Sequence, residues 1–398
     1  MDAATTGAPS GPYAPVNGGE PRILLLATLP IGDTIWLAPT TRALRQRYPR
    51  ATITALAYRS NAALAACLPG VDNTIIFTGP RGMRPALATV RMLRALRARH
   101  FDWAITFTSP AFKWVSLLAG IPHRTYMKFD RLWWLIPGRH DTWRATHATE
   151  HYYNVARELD LPPWGSVDQR PTFTLPASAE EEAARFLEAR VDSVSPQRLI
   201  AVHTGGAGLG GRKRWPADRF VALIERLWRE ERVHTLLLGG ADERALAEQV
   251  CAMADKARPI NVAGDISLLG SFALIERCAL FIGNDSSLLH AAAALGVRYL
   301  GIFGPTSIKS FRPISRRHHQ GRLLLPAIPC PEPVGFIGSD VIWRGAACTG
   351  AGDALESISV DEAFTAAVAL LRESAEPRDA NDANDANDAN DANDAAAR

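Results

Sequence analysis

The chain has 398 residues, 47% hydrophobic and 21% charged. That is the balance of an ordinary globular protein, with length enough for two domains. No apolar run approaches the roughly 18 residues of a membrane span, and the first twenty residues carry neither a basic n-region nor an apolar h-region, so a cytoplasmic protein is expected. The net charge of +3 hides a contrast: residues 379–398 hold six Asp and one Arg, a net −5, which leaves +8 on the rest. A basic body suits an anionic partner such as a phosphorylated lipid surface or nucleic acid. Five cysteines, none in a C-x-x-C pair, exclude a disulfide framework. Cys330 and Cys348 flank one loop, where they could bridge or bind metal, but idle thiols and no structural metal are the expectation.

Taken in order, residues 1–20 are rich in Gly, Pro, Ala and Thr and read as a disordered leader. Residues 22–28 form a continuous apolar run, as a parallel strand buried on both faces shows. It empties into a turn holding Asp33, and one helix is expected from there to Tyr48, with Pro49 closing it. Strand 52–57, helix 62–68, strand 73–77, a basic helix 85–99, strand 102–107 and helix 112–118 follow. This alternation predicts a parallel sheet covered on both faces. The rhythm breaks at 128–147, an expected loop in which Trp133, Trp134 and Trp143 stand among arginines, and a helix resumes over 147–159.

The proline-rich passage 161–176 reads as a hinge. A helix over 179–191 follows, and then the plan of the first half repeats. Strand 199–203 leads through a glycine-rich turn to helix 217–229, and strand 233–238 through an acidic loop to helix 243–254. Strand 280–282 leads into Gly-Asn-Asp-Ser-Ser, helix 288–295 and strand 299–303. After Pro313 the chain reads as irregular through Ala354. A last helix spans 358–372, with Ser359 and Glu362 in capping-box spacing, before five tandem Asp-Ala-Asn units that have nothing to bury. The expected fold is therefore α/β, two Rossmann-like doubly wound domains (21–175 and 176–358) facing each other across a cleft. Helix 359–374 and an acidic tail, 375–398, complete the chain.

The residues with chemical potential cluster where strands end. Asp33 follows the first strand. The turn 204–216 opens with Thr204 and closes with Arg212-Lys213-Arg214, a basic loop able to close over a diphosphate. Gly206-x-Gly208-x-x-Gly211 formally matches a dinucleotide fingerprint, but a lone match is weak and no acidic residue closes the next strand. Asp242 and Glu243 follow the next strand; either could accept bonds from a ribose, or Glu243 could only stabilise a helix start. The backbone N–H groups of Ser286 and Ser287 open a helix and favour a phosphate. Asp285 repels an anion and suits a sugar hydroxyl, although Asp285 or Ser286 could merely cap the helix and His290 be a satisfied core residue. Glycosyl transfer needs a base, groups that hold a donor sugar, and positive potential on a departing diphosphate. Asp33, then Asp285 with His290, then Lys213 with the helix start fill those roles. No Asp-x-Asp motif is available for a divalent cation, so no metal or cofactor is expected.

Leu29 to Asp33 with Pro39, the Lys213-Arg214-Trp215-Pro216 run, Leu238-Gly239-Gly240, and Gly283-Asn284-Asp285-Ser286 with His290 and Phe303-Gly304-Pro305-Thr306 together resemble the ADP-heptose:lipopolysaccharide heptosyltransferases, glycosyltransferase family nine. The likeness covers about 22–313 and the last helix. It implies a GT-B fold, a nucleotide-sugar donor held by the second domain, metal-independent inverting transfer, and an anionic glycolipid acceptor, not nucleic acid, at the cytoplasmic face of the inner membrane. It also implies roles: Asp33 as base, Lys213 on the diphosphate, Asp285 and His290 on the donor sugar, and Glu243 on the ribose. Ser287 stands where the family usually has glycine. The basic helix and the Trp133-Trp134 loop could face the acceptor or the bilayer. Two other readings remain: an NAD-dependent oxidoreductase built on Gly206, Gly208 and Gly211, and a nucleotide-sugar-binding protein without catalysis.

Overall fold

The computed structural model describes residues 20–77, 85–107, 110–126, 139–140, 147–191, 198–206, 212–317, 320–327, 335–337, 340–342 and 351–373. The first half runs β1 (Arg22–Leu26), α1 (Ile31–Ile35), α2 (Ala38–Arg47), β2 (Thr52–Tyr58), α3 (Ala62–Ala66), β3 (Asn73–Phe77), α4 (Pro85–Arg97), β4 (Trp103–Thr106), α5 (Pro110–Leu118), β5 (His123–Tyr126), β6 (Arg139–His140) and α6 (Ala148–Ala156). The second runs α7 (Ala177–Arg190), β7 (Leu199–His203), α8 (Ala217–Glu231), β8 (His234–Leu237), α9 (Arg244–Met253), β9 (Ile260–Asn261), α10 (Leu268–Glu276), β10 (Leu280–Asn284), α11 (Ser287–Leu295), β11 (Tyr299–Ile302), α12 (Ile308–Phe311) and β12 (Gly321–Leu324). A small antiparallel pair, β13 (Gly335–Ile337) and β14 (Asp340–Ile342), then α13 (Ala351–Glu356) and α14 (Val360–Glu373), complete it.

The first sheet has the order β3-β2-β1-β4-β5-β6 and the second β9-β8-β7-β10-β11-β12. Every pairing within them is parallel. Renumbered from its own first strand, the second sheet repeats the first, so each is a doubly wound sheet whose order reverses beside its first strand. The reversal falls between β1 and β4 in one lobe and between β7 and β10 in the other. The loops after β1, β7 and β10 therefore open onto ligand crevices for topological reasons. Strands with no polar face explain the burial: all of β7 and β10 is buried, as sheets covered by helices on both sides require.

Four expectations need correction. The single helix from Asp33 to Tyr48 is two, because Pro39 lacks the N–H that would continue the ladder and instead starts α2; Asp33 lies in the first turn of α1. Within the expected loop 128–147, Arg139–His140 pairs with β5 as an edge strand. The stretch after Pro313 contains β12, which extends the second sheet, as well as β13, β14 and α13. Also outside the expected set are β5, which pairs with β4, and β9 with α10, between the expected helix 243–254 and strand 280–282. The expected capping box holds: Ser359 N–H and Oγ–H donate to Glu362 Oε2 at 2.8 and 2.7 Å, and Glu362 N–H returns to Ser359 Oγ at 3.2 Å. The leader, the acidic tail, Cys330, Cys348 and the three loop tryptophans lie outside the described residues. Among the described residues no helix is long and apolar enough to cross a membrane.

The lobes share apolar surface. Ile35 from α1 and Leu64 from α3 belong to the same core cluster as Leu288 and Leu289 of α11, and Phe173 and Leu175 of the linker pack into it too. Arg42 straps that linker to the first lobe through the Asp168 and Arg170 carbonyls and the Thr172 hydroxyl. His147 N-caps α6 through Nδ1 and donates from Nε2 to the Arg312 carbonyl of the other lobe at 2.9 Å. Burial pushes its pKa down to about 3, which keeps the ring neutral for both bonds.

The β11–β12 edge is tightly fitted, since a Cβ on Gly321 would stand 2.1–2.5 Å from three Tyr299 ring carbons. Gly321→Ala is expected to destabilise the protein by about 1–3 kcal/mol through overpacking, read as a lower denaturant midpoint with unchanged slope; an unchanged midpoint would mean that Tyr299 moves aside freely.

Candidate active site

Asp285 follows β10 with its side chain almost wholly buried. A lone carboxylate there would be costly, and it is not alone. Oδ2 accepts from Lys213 Nζ at 2.6 Å and from Thr306 Oγ1 at 2.7 Å, while His290 Nε2 lies 3.5 Å from Oδ1. Burial alone would raise its pKa, but the Lys213 charge and the His290 contact outweigh that and hold it well below the usual carboxylate range. Lys213 and Asp285, which the sequence reading gives to different parts of a donor, are thus ion-paired with each other. Neither Asp285 nor Ser286 caps α11 through its side chain, and His290 Nδ1 is buried without a hydrogen-bond partner among the described residues.

Asn284 anchors the basic loop at both ends. Its Nδ2 donates to the Thr204 and Gly205 carbonyls at 3.1 and 2.9 Å, and its Oδ1 accepts from Trp215 N–H at 2.9 Å. That places Thr204, buried, and Lys213, half-buried, on the two sides of the start of α11. Gly206 leaves β7 at φ +139, a conformation that suits glycine.

Glu243 reaches back under the same turn. Oε1 accepts from Gly206 N–H at 2.8 Å, and Oε2 from Gly240 N–H at 3.1 Å and His203 Nε2–H at 2.9 Å. Burial opposes ionisation, but these bonds prevail and bring its pKa down to about 2. The Gly240 bond matches the helix-start reading; the other two go beyond it. Asp242 is exposed beside it. His203, the last residue of β7, joins Glu243 to Ser286, with Nδ1 3.0 Å from Ser286 Oγ. Ser287 opens α11 and packs near Gly32, whose Cβ position is 3.7 Å from the Ser287 Cα.

From the other lobe, Asp33 faces this group. A Cβ on its neighbour Gly32 would lie 3.3 Å from the His290 ring, and Trp36, one turn on, meets the same ring edge-on at 4.7 Å between centroids. Tyr152 of α6 donates its hydroxyl to Asp33 Oδ1 at 2.5 Å. Burial raises the Asp33 pKa; the Tyr152 bond and the positive potentials of His290 and Lys213 oppose it without cancelling it. The structure therefore unites Asp33, Lys213, Asp285, His290, Ser286 and Ser287 at the lobe boundary, and sets Thr204, Glu243 and Asp242 along the second lobe's crevice. Sequence reasoning missed His203, Tyr152, Thr306 and Asn284 as site builders. Only Asn284 and Thr306 stood inside quoted motifs.

The dinucleotide reading is not favoured. Gly208 and Gly211 lie outside the described residues, and among the described residues the next helix begins only at Ala217, whereas the glycines of that fingerprint run from the strand directly into their helix.

Two doubly wound lobes with a carboxylate on one side and a lysine, a histidine and a helix start on the other define a GT-B glycosyltransferase. Glycosyltransferase family 9 (heptosyltransferase) matches residues 89–333. Lipopolysaccharide heptosyltransferase 2 of Salmonella typhimurium is 26% identical over 312 residues, 76% of this chain and 88% of that protein. Lipopolysaccharide heptosyltransferase 3 of Escherichia coli is 26% identical over 294 residues, 71% and 82% of the two chains. The solved structure of E. coli ADP-heptose LPS heptosyltransferase II superposes with a TM-score of 0.70 at 24% identity, over 89% of this chain and all of that one. The chain belongs to glycosyltransferase family 9, and is a glycosyltransferase of the heptosyltransferase type.

Because the Tyr152 hydroxyl favours the ionised form of Asp33, Tyr152→Phe is expected to raise the Asp33 pKa further. The carboxyl-carbon NMR titration of Asp33 would report this as a shift to higher pH; a shift downward or none would remove Tyr152 from control of this group.

Proposed function

We propose that the protein transfers heptose from ADP-heptose, with inversion, to an inner-core lipopolysaccharide or related surface-glycan acceptor, in the cytoplasm. The named relatives act in lipopolysaccharide heptosyl transfer, and one solved relative is named for ADP-heptose. The observation that carries the reading is geometric: Gly32 and Trp36, either side of Asp33 in one lobe, pack against the His290 ring of the other, where His290 and Lys213 both meet Asp285. A base and an anion-stabilising group share one gap, as displacement at a sugar carbon needs.

In this reading Asp33 takes the proton of the acceptor hydroxyl, whose oxygen attacks the anomeric carbon opposite the diphosphate. The bond to the diphosphate oxygen breaks, and Lys213, the start of α11 at Ser286 and Ser287, and the Thr204 turn meet the charge that develops. A pKa raised by burial makes Asp33 a stronger base than an exposed carboxylate. Activity should accordingly fall as pH drops through that raised value, where Asp33 takes up its proton. Asp285 and His290 hold sugar hydroxyls, and Lys213 is shared between Asp285 and the diphosphate. Glu243 uses three of a carboxylate's roughly four acceptor sites on the protein, which leaves one, with neighbouring Asp242, for the ribose.

Asp33→Asn should lower turnover by ~10²-fold or more while leaving donor affinity nearly intact, measured by ADP release with acceptor and by donor titration. Undiminished turnover would leave the reading without its base.

The acceptor's lipid calls for a surface near the bilayer, and the first lobe presents one. Arg91, Arg94 and Arg97 are exposed on α4 beside Val90, and α5 exposes Trp114 at 46% and Leu118 at 53%. Arg97 donates to the Leu118 carbonyl at 2.9 Å, which joins the two helices into one face. Basic and apolar groups together suit peripheral contact with anionic lipid, at about 1 kcal/mol per basic residue. Co-sedimentation with vesicles should need anionic phospholipid and fall with salt or in the double variant Arg91→Glu/Arg94→Glu; binding indifferent to all three would discount the surface.

A further inference from the structure

His203 is a buried histidine with both ring nitrogens engaged, and nothing in the transfer reaction as derived so far uses it. Glu243, with its pKa near 2, is a carboxylate at neutral pH and can only accept, so His203 Nε2 carries a hydrogen. In the neutral ring Nδ1 is then bare, and the bond at 3.0 Å must come from the Ser286 hydroxyl. This arrangement turns the only hydroxyl hydrogen of Ser286 away from the helix start. A diphosphate offers acceptors alone. For Ser286 to donate to it, the hydroxyl must rotate and leave two acceptors, Nδ1 and Oγ, facing each other at 3.0 Å.

One added proton removes the conflict. We propose that binding of the donor's diphosphate draws one proton from solvent onto His203 Nδ1, so that Nδ1–H donates to Ser286 Oγ and Ser286 donates to the phosphate. The proton returns to solvent when the nucleoside diphosphate leaves. The imidazolium so formed is held by the Glu243 carboxylate and stands one hydroxyl away from the diphosphate, where it adds positive potential as the leaving group gains charge. His203 acts here as a positioning residue, since it touches the donor only through Ser286.

Its surroundings are suited to the change. The charged and titratable groups about the ring are Glu243 from the β8 loop, Asp285 next to Ser286 with Lys213 bonded to it, His290 one turn into α11, and Arg214, whose Nε–H donates to the Gly206 carbonyl in the turn after His203 at 3.1 Å. Level with the ring, the flanking strands bring Leu237, paired to Val202, and Gly283, paired to His203, with the uncharged Asn284 ending β10. The added charge thus faces one carboxylate directly, and the Lys213–Asp285 pair beside it is internally neutral.

The inference rests on the proposed seat of the diphosphate, and calorimetry of ADP-glucose binding separates the two. Both phosphates of this probe are diesters with no proton to exchange near neutrality. At pH 8, in buffers of low and high ionisation enthalpy, the full-length protein should take up about one proton per ligand bound. Where one proton is taken up on binding, affinity should weaken by up to about tenfold per unit rise in pH. His203→Asn keeps a group able to bond Ser286 but cannot take the proton, and Ser286→Ala removes the link. Each should abolish the uptake and flatten the pH dependence; if the Asn variant does not fold, Ser286→Ala decides. Buffer-independent heat in the unaltered protein, or uptake that persists in the variants, overturns the proton coupling and leaves the diphosphate seat standing. Failure of ADP-glucose to bind at all overturns both.

Discussion

A single buried carboxylate organises this protein. Asp285 cannot sit where β10 ends unless cations and hydroxyls reach it, and its partners come from three separate stretches: the Lys213 loop, the turn after β11 at Thr306, and α11 at His290. Leaving such a charge unpaired costs several kcal/mol. Folding of the second lobe therefore has to bring the basic loop to the mouth of α11, and the residues that would meet a diphosphate are assembled by the same force that makes the lobe stable. Asn284 adds a neutral clamp beside the charged one.

Asp33 and Asp285 show how position decides chemistry. Both are Asp residues just past a strand's carboxyl end, yet burial dominates in one and ion pairing in the other, and their pKa values move in opposite directions. Environments that push two like groups apart commonly separate a proton acceptor from a group that stays charged throughout. Two copies of one strand order, facing each other, achieve this because each supplies a crevice beside its first strand.

Much of this was legible in the residues. The long apolar runs of β1, β7 and β10 and the turns after them mark where a doubly wound sheet binds, so Asp33, Lys213, Asp285 and His290 could be singled out without coordinates. Strands of two to four residues, such as β6, β9 and β12, are too short for periodicity to register; β12 also follows the basic run Arg316-Arg317, which reads as loop. Pro39 was visible, but its effect on the helix depended on Trp36 and Leu37 turning inward. His203 looked like the end of an apolar strand, and its importance comes from residues 40 and 83 positions away. Tyr152 stands 119 residues from Asp33, and no local pattern encodes that meeting. The pairing of Lys213 with Asp285 was hidden for the same reason: opposite charges distant in sequence reveal nothing about contact.

The mixed core between the lobes also bears on how the molecule comes apart. Ile35 and Leu64 are threaded among Leu288, Leu289 and the linker's Phe173, so melting either lobe strips solvent-shy surface from the other. Two lobes of this size might be imagined as separate folding units joined by a string. Here the shared oil couples their unfolding, and the Arg42 strap leaves little slack in the connection, so the halves should lose structure together.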